Sequence, residues 1–583
     1  MSSSNPTSDC HVVVDGDAIS LIILPSAVHP GPQEELTIHS SLEARDHGVE
    51  NAAGSSSVRS RIQLTATLLA LFLSLFLAAL DFTIATTATP TIINELHSAT
   101  AYTWIGSAYL LASAASTPVL AKFSDIFGRK NILLVAVAIF FAGSAICASS
   151  NTTTSFIAGR SVQGSGAGGM IILTNICISD LFSMRDRGLF LGLTGVVWSL
   201  ASGVGPLLGG ALTEYVSWRW NWWINLPISG FAFGVLYFSL HVHNPRTSFL
   251  KGAKAIDWLG TVLILGLTLM ILLGLSLGGI ISPWGSPKVI CLIVFGLVIV
   301  FVFGIHETRF ATNPLMPMRI VQRRSNVASL LVCFMHGFVN MSSWYFLPLY
   351  FQAVKEASPL RSGLLILPIT LVQAVVSVAA GCFIRYTGRY LELIWIGMAG
   401  TCLGFGLFIK LGVNSSLVEI VLFQIVAGVG VGLVFQPPLI ALQSLVAQED
   451  VAAATALFGF SRSFSTAVSA VIGGVIFQNQ MQAHYNELQF ILPGDVARNF
   501  SGHAAAANVK LIATLTVAEK IAVQKSYAES LSTMWILYSS IAGLGLLLSV
   551  FITKQNLTTE HVETRTGIEK DEQGKAPEAV VTA

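Results

Sequence analysis

From residue 64 onward the chain is a succession of apolar runs, each about 20 residues long, which is the length an α-helix needs to cross a bilayer core. Short polar joints separate them. The pattern predicts fourteen helical spans, near 64–90, 101–121, 132–150, 154–179, 188–212, 222–241, 257–279, 288–306, 327–352, 362–384, 391–410, 417–441, 452–477 and 531–553. The tails, 1–60 and 554–583, are polar and mixed in charge, and are expected to be disordered. The segment 479–530 reads as a long loop with an amphipathic stretch near Val517–Ser530.

Composition agrees with lipid as the solvent. The 583 residues are 53% hydrophobic and 11% charged, against about 25% charge in an ordinary soluble chain. This is an all-α polytopic membrane protein, and a net charge of +1 gives no reason to expect nucleic acid. The seven cysteines show no metal-ligand spacing and read as small packing residues. No cleavable signal is evident, so the first span is expected to act as its own. With the amino terminus inside, the inner loops collect fourteen Lys and Arg and the outer loops five. The same topology places both termini in the cytoplasm and puts the glycosylation candidates Asn151, Asn414 and Asn499 outside.

Two segments recur. Phe123, Gly128 and Arg129 match Phe383, Gly388 and Arg389 at an offset of 260, and Gly164, Gly166 and Gly168 match Gly428, Gly430 and Gly432 at 264. Two offsets this close point to parallel halves: an amino-terminal six-helix bundle over 61–245, two inserted linker helices over 246–308, and a carboxy-terminal six-helix bundle over 309–553. Chance matching of glycine-rich apolar sequence is the alternative.

Charge inside such spans marks function by default. Asp81 and Arg160 lie in oppositely directed spans, at similar depth. An acid held between burial and a neighbouring cation can take up and release protons, or the two can form a static ion pair. In the joint after span two, Gly128 permits an unusual backbone angle, and Asp125 and Arg129, beside Lys130, can make charge-assisted bonds at helix ends. Such a lock would hold one conformation; ordinary inner-face charge is the bland reading. Asp180 and Arg187 are further candidates for that network. Gly164 to Gly169 fits a dinucleotide fingerprint, but no strand precedes it, so close helix packing is expected and no nucleotide, cofactor or metal. Gly205, Pro206 and Gly209 kink span five and let it approach a neighbour, as a pivot, a seal or a plain packing helix. Gln163, Trp198, His336, Asn340, Tyr345 and Gln436 are candidates to line a substrate path, each weighed against a helix-contact role. Arg462 either lines the cavity or pairs with a backbone carbonyl. Trp218 to Trp223 reads as an interfacial aromatic belt.

Taken together, residues 62–553 resemble the major facilitator superfamily, and within it the fourteen-helix drug:proton antiporters. The loop 121–133 resembles motif A, Arg160-x-x-Gln163-Gly164 motif B, and Gly195 to Gly210 the antiporter motif C. Leu80 to Pro90 resembles the first-helix motif of that branch. Trp104 to Leu111, Asn225-Leu-Pro227 and Leu347 to Gln352 followed by Ser362-Gly363 resemble fungal pumps for toxins and secondary metabolites. Departures are Ala121 where the motif opens with Gly, Thr86 and Thr89 in place of apolar residues, and Ser465 and Ser469 where Gly is expected.

The resemblance implies a proton-coupled antiporter that exports small hydrophobic compounds, such as a mycotoxin or drugs, by alternating access. Asp81 would carry the proton, with Arg160 tuning it. Its partners would be the substrate, protons and the lipid bilayer, with a monomer expected in the plasma membrane and the vacuolar membrane as an alternative site. A proton-driven importer such as a siderophore carrier, and a membrane sensor without transport, are the rival functions. A membrane enzyme is disfavoured because no nucleophile–base pair or metal cluster is evident.

Overall fold

A computed structural model describes residues 61–559 apart from 86–87, 90, 93–94, 97–100, 243–244, 246, 280–281 and 503. The tails 1–60 and 560–583, together with Thr86 and Pro90, lie outside the described residues. The chain divides into two units, 1–65 and 66–583. In the first, only 61–65 are described, a helical turn in which the Thr65 hydroxyl donates to the Arg61 carbonyl.

The long helices are α1 (Arg61–Ala85), α2 (Ala101–Phe127), α3 (Arg129–Ser149), α4 (Thr153–Leu181), α5 (Met184–Tyr215), α6 (Asn225–Ser239), α7 (Trp258–Leu277), α8 (Pro287–Arg309), α9 (Arg324–Ala353), α10 (Leu367–Thr387), α11 (Leu391–Phe408), α12 (Leu417–Val434), α13 (Val451–Ala483) and α14 (Val517–Ser549). No strand occurs among the described residues. Among the described residues, twelve helices are long and apolar enough to cross a bilayer. The two expected spans outside that count are still helical. α6 has 15 residues, and α4, at 29, carries two charges and a run of glycines that dilute its apolar character.

The packing repeats along the chain. α4 packs on α2 and α3, and α12 packs on α10 and α11. α6 meets α3, and α14 meets α11. α5 runs against α10, while α13 runs against α2. Shifting every label by eight maps each contact onto its counterpart and leaves α7 and α8 over. α8 packs chiefly on α7, which leans on α2 and α13.

Glycines set this pattern. A Cβ at Gly164, Gly166 or Gly168 would stand 2.8, 2.9 and 3.0 Å from the Cα of Tyr109, Phe140 and Ser113. At Gly428 and Gly432 it would stand 2.8 and 2.9 Å from the carbonyl oxygens of Ile369 and Gln373, and at Gly430 2.8 Å from Thr401 Cα. In each half the outer two glycines of the triplet admit one neighbour's backbone and the middle one admits another's. Without a hydrophobic force between helices in lipid, such backbone approach is what holds them together. The glycine-rich stretch of α4 is therefore a packing surface. Gly128 and Gly388, the other repeated glycines, both take positive φ, 93° and 68°.

Two local expectations change. Segment 479–530 is folded rather than open. α13 runs on to Ala483, and a capping box at Thr516 and Glu519 starts α14 at Val517. Between them, short helical turns bury Leu488, Leu492, Ala497, Phe500 and Ile512 against Val523, Tyr527 and Leu531, and Tyr527 donates to the Ala505 carbonyl at 2.6 Å. The tryptophan stretch is only half a surface belt. Trp218 and Trp222, four apart on one helical face, are buried edge-on against Phe156, whereas Trp220 and Trp223 are exposed.

Gly164→Ala is expected to lower stability by about 1–3 kcal/mol through overpacking. Gly210→Ala, where a Cβ meets nothing within 4 Å, should leave it unchanged or raise it by up to about 1 kcal/mol. Thermal unfolding in detergent checks the pair, and equal effects would contradict the packing account.

Candidate functional site

The structure brings Asp81 of α1 and Arg160 of α4 into direct contact, and both side chains are fully buried. Arg160 Nη1 donates to Asp81 Oδ2, while the other carboxylate oxygen accepts from Gln163 Nε2 at 2.7 Å and Asn225 Nδ2 at 3.0 Å. Arg160 also donates to Gln163 Oε1 at 2.8 Å and, through Nε, to the Ile105 carbonyl at 3.1 Å. Its guanidinium lies 4.4 Å over the Tyr109 ring, which covers the charge with a π face. Gln163 reaches on to Ser144 at 2.8 Å. A carboxylate in hydrocarbon is tolerable only with this density of donors. Gln163 thus belongs to the acid cluster rather than to a surface between the halves.

Asn225 was not foreseen as part of this cluster. Its signal was an amide just inside a short apolar span, masked by the adjacent tryptophans. Tyr109, which donates to the Ala78 carbonyl at 2.7 Å, gave no sequence signal beyond its place in the 104–111 stretch.

At the other end of α4, Arg129 is buried and bonds Asp180 at 2.9 Å, Ser124 at 2.8 Å and Asp125. The positive φ of Gly128 turns the chain from α2 into α3 tightly enough for Arg129 to point back between α2 and α4. Asp180 joins this network. Arg187 does not bond it and donates instead to the Phe182 carbonyl at 3.0 Å. Lys130 lies 5.1 Å over the Tyr237 ring. One helix, α4, therefore carries a buried ion pair near each end.

α5 and α10 meet through small residues. Ser377 donates to the Gly192 carbonyl at 3.1 Å, and in the short helix Pro359–Leu365 before α10 a Cβ built on Gly363 would lie 3.5 Å from Pro206. Gly205 lies against Thr83 of α1, whose hydroxyl donates to the Ala201 carbonyl at 3.0 Å, and Gly209 is buried on the same helix. Gln436 Nε2 donates across to Thr194 at 2.7 Å, Gln443 to Ser179 at 2.9 Å, and Arg385 pairs with Asp186 at 2.9 Å. Trp198 stacks on Trp344 with ring centres 5.9 Å apart, and Tyr345 lies beside Gly106. His336 donates through Nε2 to the Val431 carbonyl at 3.1 Å, and Asn340 sits one turn further along α9. Arg462 donates to the Phe435 carbonyl. Asn151, Asn414 and Asn499 are all exposed.

Between α1 and α2, Glu95 accepts from Arg219 and Trp218, each at 2.6 Å. The bond from Arg219, then that from Trp218, holds Glu95 below the usual carboxylate range. A depressed acid stabilises the fold above its unfolded-state pKa, about 4.3, and loses that contribution as pH falls through the folded value. The melting-temperature gap between wild type and Glu95→Gln should thus hold from about pH 7 to 5 and shrink only below about pH 4. Arg129→Ala leaves two carboxylates facing a void and should cost about 3–5 kcal/mol, against less than about 1 for Lys130→Ala. Thermal unfolding of both variants in detergent tests the difference.

A family model described as Major Facilitator Superfamily matches residues 71–470. The efflux pump dotC of Dothistroma septosporum is 46% identical over 502 residues, 86% of each chain. The MFS-type transporter ppz2 of Metarhizium majus is 45% identical over 516 residues, covering 88% of this chain and 89% of the relative. The crystal structure of the human organic anion transporter MFSD10 aligns with a TM-score of 0.54 over 83% of this chain and 99% of its own, at 15% identity, which shows the fold alone. The chain therefore belongs to the major facilitator superfamily, and is a multi-pass membrane transporter rather than an enzyme.

Proposed function

We propose that the protein is a proton-coupled exporter of small hydrophobic organic compounds, a fungal secondary metabolite or drugs among them. The carrying observation is the sealed cluster of Asp81, Arg160, Gln163 and Asn225. Protonating Asp81 removes the partner of a fully buried guanidinium. Leaving such a charge unpaired costs about 3–5 kcal/mol, so proton uptake favours any state in which water reaches Arg160. Loss of the proton restores the pair and the sealed state. A titratable pair that changes packing in this way converts a proton gradient into conformational bias. Relatives named as efflux pumps support the outward direction.

In this reading α4 and α6 cross the membrane with the twelve apolar helices, giving fourteen spans as two six-helix halves and two linkers. Both termini face the cytoplasm, the exposed sequon asparagines face outward, and the monomer acts in the plasma membrane. The Arg129 network locks one state. The α5 glycines and Pro206 serve the movement between states.

Inside-out vesicles with an imposed acid interior should accumulate hydrophobic toxins or dyes, and the Asp81→Asn protein should lose at least about tenfold of that gradient-dependent uptake. Accumulation that ignores the gradient would remove the antiport claim.

A further inference from the structure

The two halves share a skeleton but not a charge plan. Arg160 Nε donates to the Ile105 carbonyl, and the counterpart bond, 264 residues on in α12 and 260 on in the short helix Pro359–Leu365 that leads into α10, runs from Gln424 Nε2 to the Leu365 carbonyl at 3.0 Å. The bond is kept and the charge is lost. In the carboxy-terminal half the deep cation is Arg462, on α13, and among the described residues it forms no ion pair with a carboxylate.

What holds Arg462 follows from the sequence around it. Pro437 and Pro438 have no N–H to give, so α12 stops at Val434 and helix resumes at Pro437. The Leu439 N–H bonds Gln436 and leaves the Phe435 carbonyl, which Arg462 takes. The guanidinium lies 4.6 Å over the Phe435 ring and 4.9 Å over Phe458. A Cβ built on Gly337 would run into Ser465 Oγ, so the glycine lets α13 approach α9 one turn from Arg462. A carbonyl and two ring faces orient a guanidinium without neutralising it. Arg462 Nε, although buried, has no partner, and the residue as a whole is only half-buried.

Around this cation the buried atoms without partners include acceptors. Gln436 Oε1 is open while its amide nitrogen binds Thr194 in the other half. His336 Nδ1 is open while Nε2 meets the Val431 carbonyl, and the ring lies 6.2 Å from Phe435. Asn340 Oδ1 is open one turn along α9. Leaving such atoms unmet costs about 1–3 kcal/mol each. A ligand that meets them would carry an anionic group for Arg462, hydroxyl or amide protons for the acceptors, and flat rings for Phe435.

We propose that Arg462 is the specificity-determining residue of the substrate site, and that the site takes aromatic organic anions, a carboxylate or enolate on a ring system, in preference to their neutral analogues. This rests on the transporter reading above and names its substrate class. A carboxylate adds a countercharge and a second, parallel N–H···O bond, neither of which the neutral Phe435 carbonyl supplies.

The test uses the full-length protein purified in detergent, with no gradient, and follows quenching of tryptophan fluorescence by 1-pyrenebutyrate and by its uncharged carboxamide. Wild type should bind the carboxylate at least about tenfold more tightly than the amide, a difference of about 1.4 kcal/mol. Arg462→Gln should abolish that preference with amide affinity changed less than about twofold, and Arg462→Lys should keep part of it. Asp81→Asn, which shifts the balance of states for both probes alike, should keep the wild-type ratio of carboxylate to amide affinity, so loss of gradient-driven uptake and loss of anion preference are separate results. Equal binding of the two probes to wild type, no binding of the carboxylate, or an equal loss of both probes in Arg462→Gln would each overturn the proposal. Unfolding curves for the Gln and Lys variants exclude a loss of fold as the cause.

Discussion

A charge placed among helices in hydrocarbon has to find its counterpart within the protein, because neither lipid nor water supplies one. That requirement organises the amino-terminal half. Arg160 and Arg129 are both buried on or against α4, and each is met by carboxylates from neighbouring helices. The helices can supply those carboxylates only because they come close. Gly164, Gly166 and Gly168 let α2 and α3 lay backbone on the same helix that carries Arg160, and Asp81 reaches that arginine from α1. Ion pair and glycine contact are thus two parts of one solution. A side chain at Gly164 would push away Tyr109, the residue whose ring covers the Arg160 charge.

The carboxy-terminal half reuses the contact and drops the charge. Gly428, Gly430 and Gly432 repeat the approach of α12 to α10 and α11, and Gln424 repeats the bond to the facing carbonyl. Freed from carrying an ion pair, that half breaks α12 at Phe435 and sets a lone guanidinium at the break. The same division appears in the joints. Asp125 pairs with Arg129 inside its own joint, while the counterpart position holds Arg385, which reaches Asp186 of the other half. The repeated packing thus carries two charge plans, one that pairs its charges locally and one that sends Arg385 across to Asp186.

Much of this was legible because the membrane leaves few choices. Apolar run length gave the helices, and charge at depth singled out Asp81 and Arg160. Their opposite chain directions gave the shared level. What sequence did not carry was side-chain direction. Asn225 follows four tryptophans that read as a belt, and only the helical turn over 220–223 shows that Trp222 goes inward and brings the amide with it. The segment 479–530 reads as a loop because its charges are mixed and its apolar residues follow no period. Leu488, Ala497 and Phe500 are buried through short, differently oriented turns, which no periodicity reveals. For Arg462, sequence left two readings open. The structure places it on a carbonyl while leaving it half-exposed, so the carbonyl bond does not by itself decide its role.

The contact between the halves bears on how they could move. α5 and α10 meet at Gly188, Gly192, Gly195 and Gly381, mostly backbone and serine against glycine, with Ile384 seated on Gly188. Interlocked side chains must be lifted out of their grooves before helices can slide, and that makes packed interfaces bistable and slow to change. Glycine and serine surfaces present no such interlock. The polar bonds across this seam, Ser377 to Gly192 and Gln436 to Thr194, are each worth about 1 kcal/mol net, and Gln436 directly follows Phe435 at the break. A ligand on Arg462 that draws Gln436 toward itself would compete with the bond to Thr194. The site for the substrate and the seam between the halves therefore share one residue. An occupant can bias the rocking by a single hydrogen bond without contacting the proton cluster.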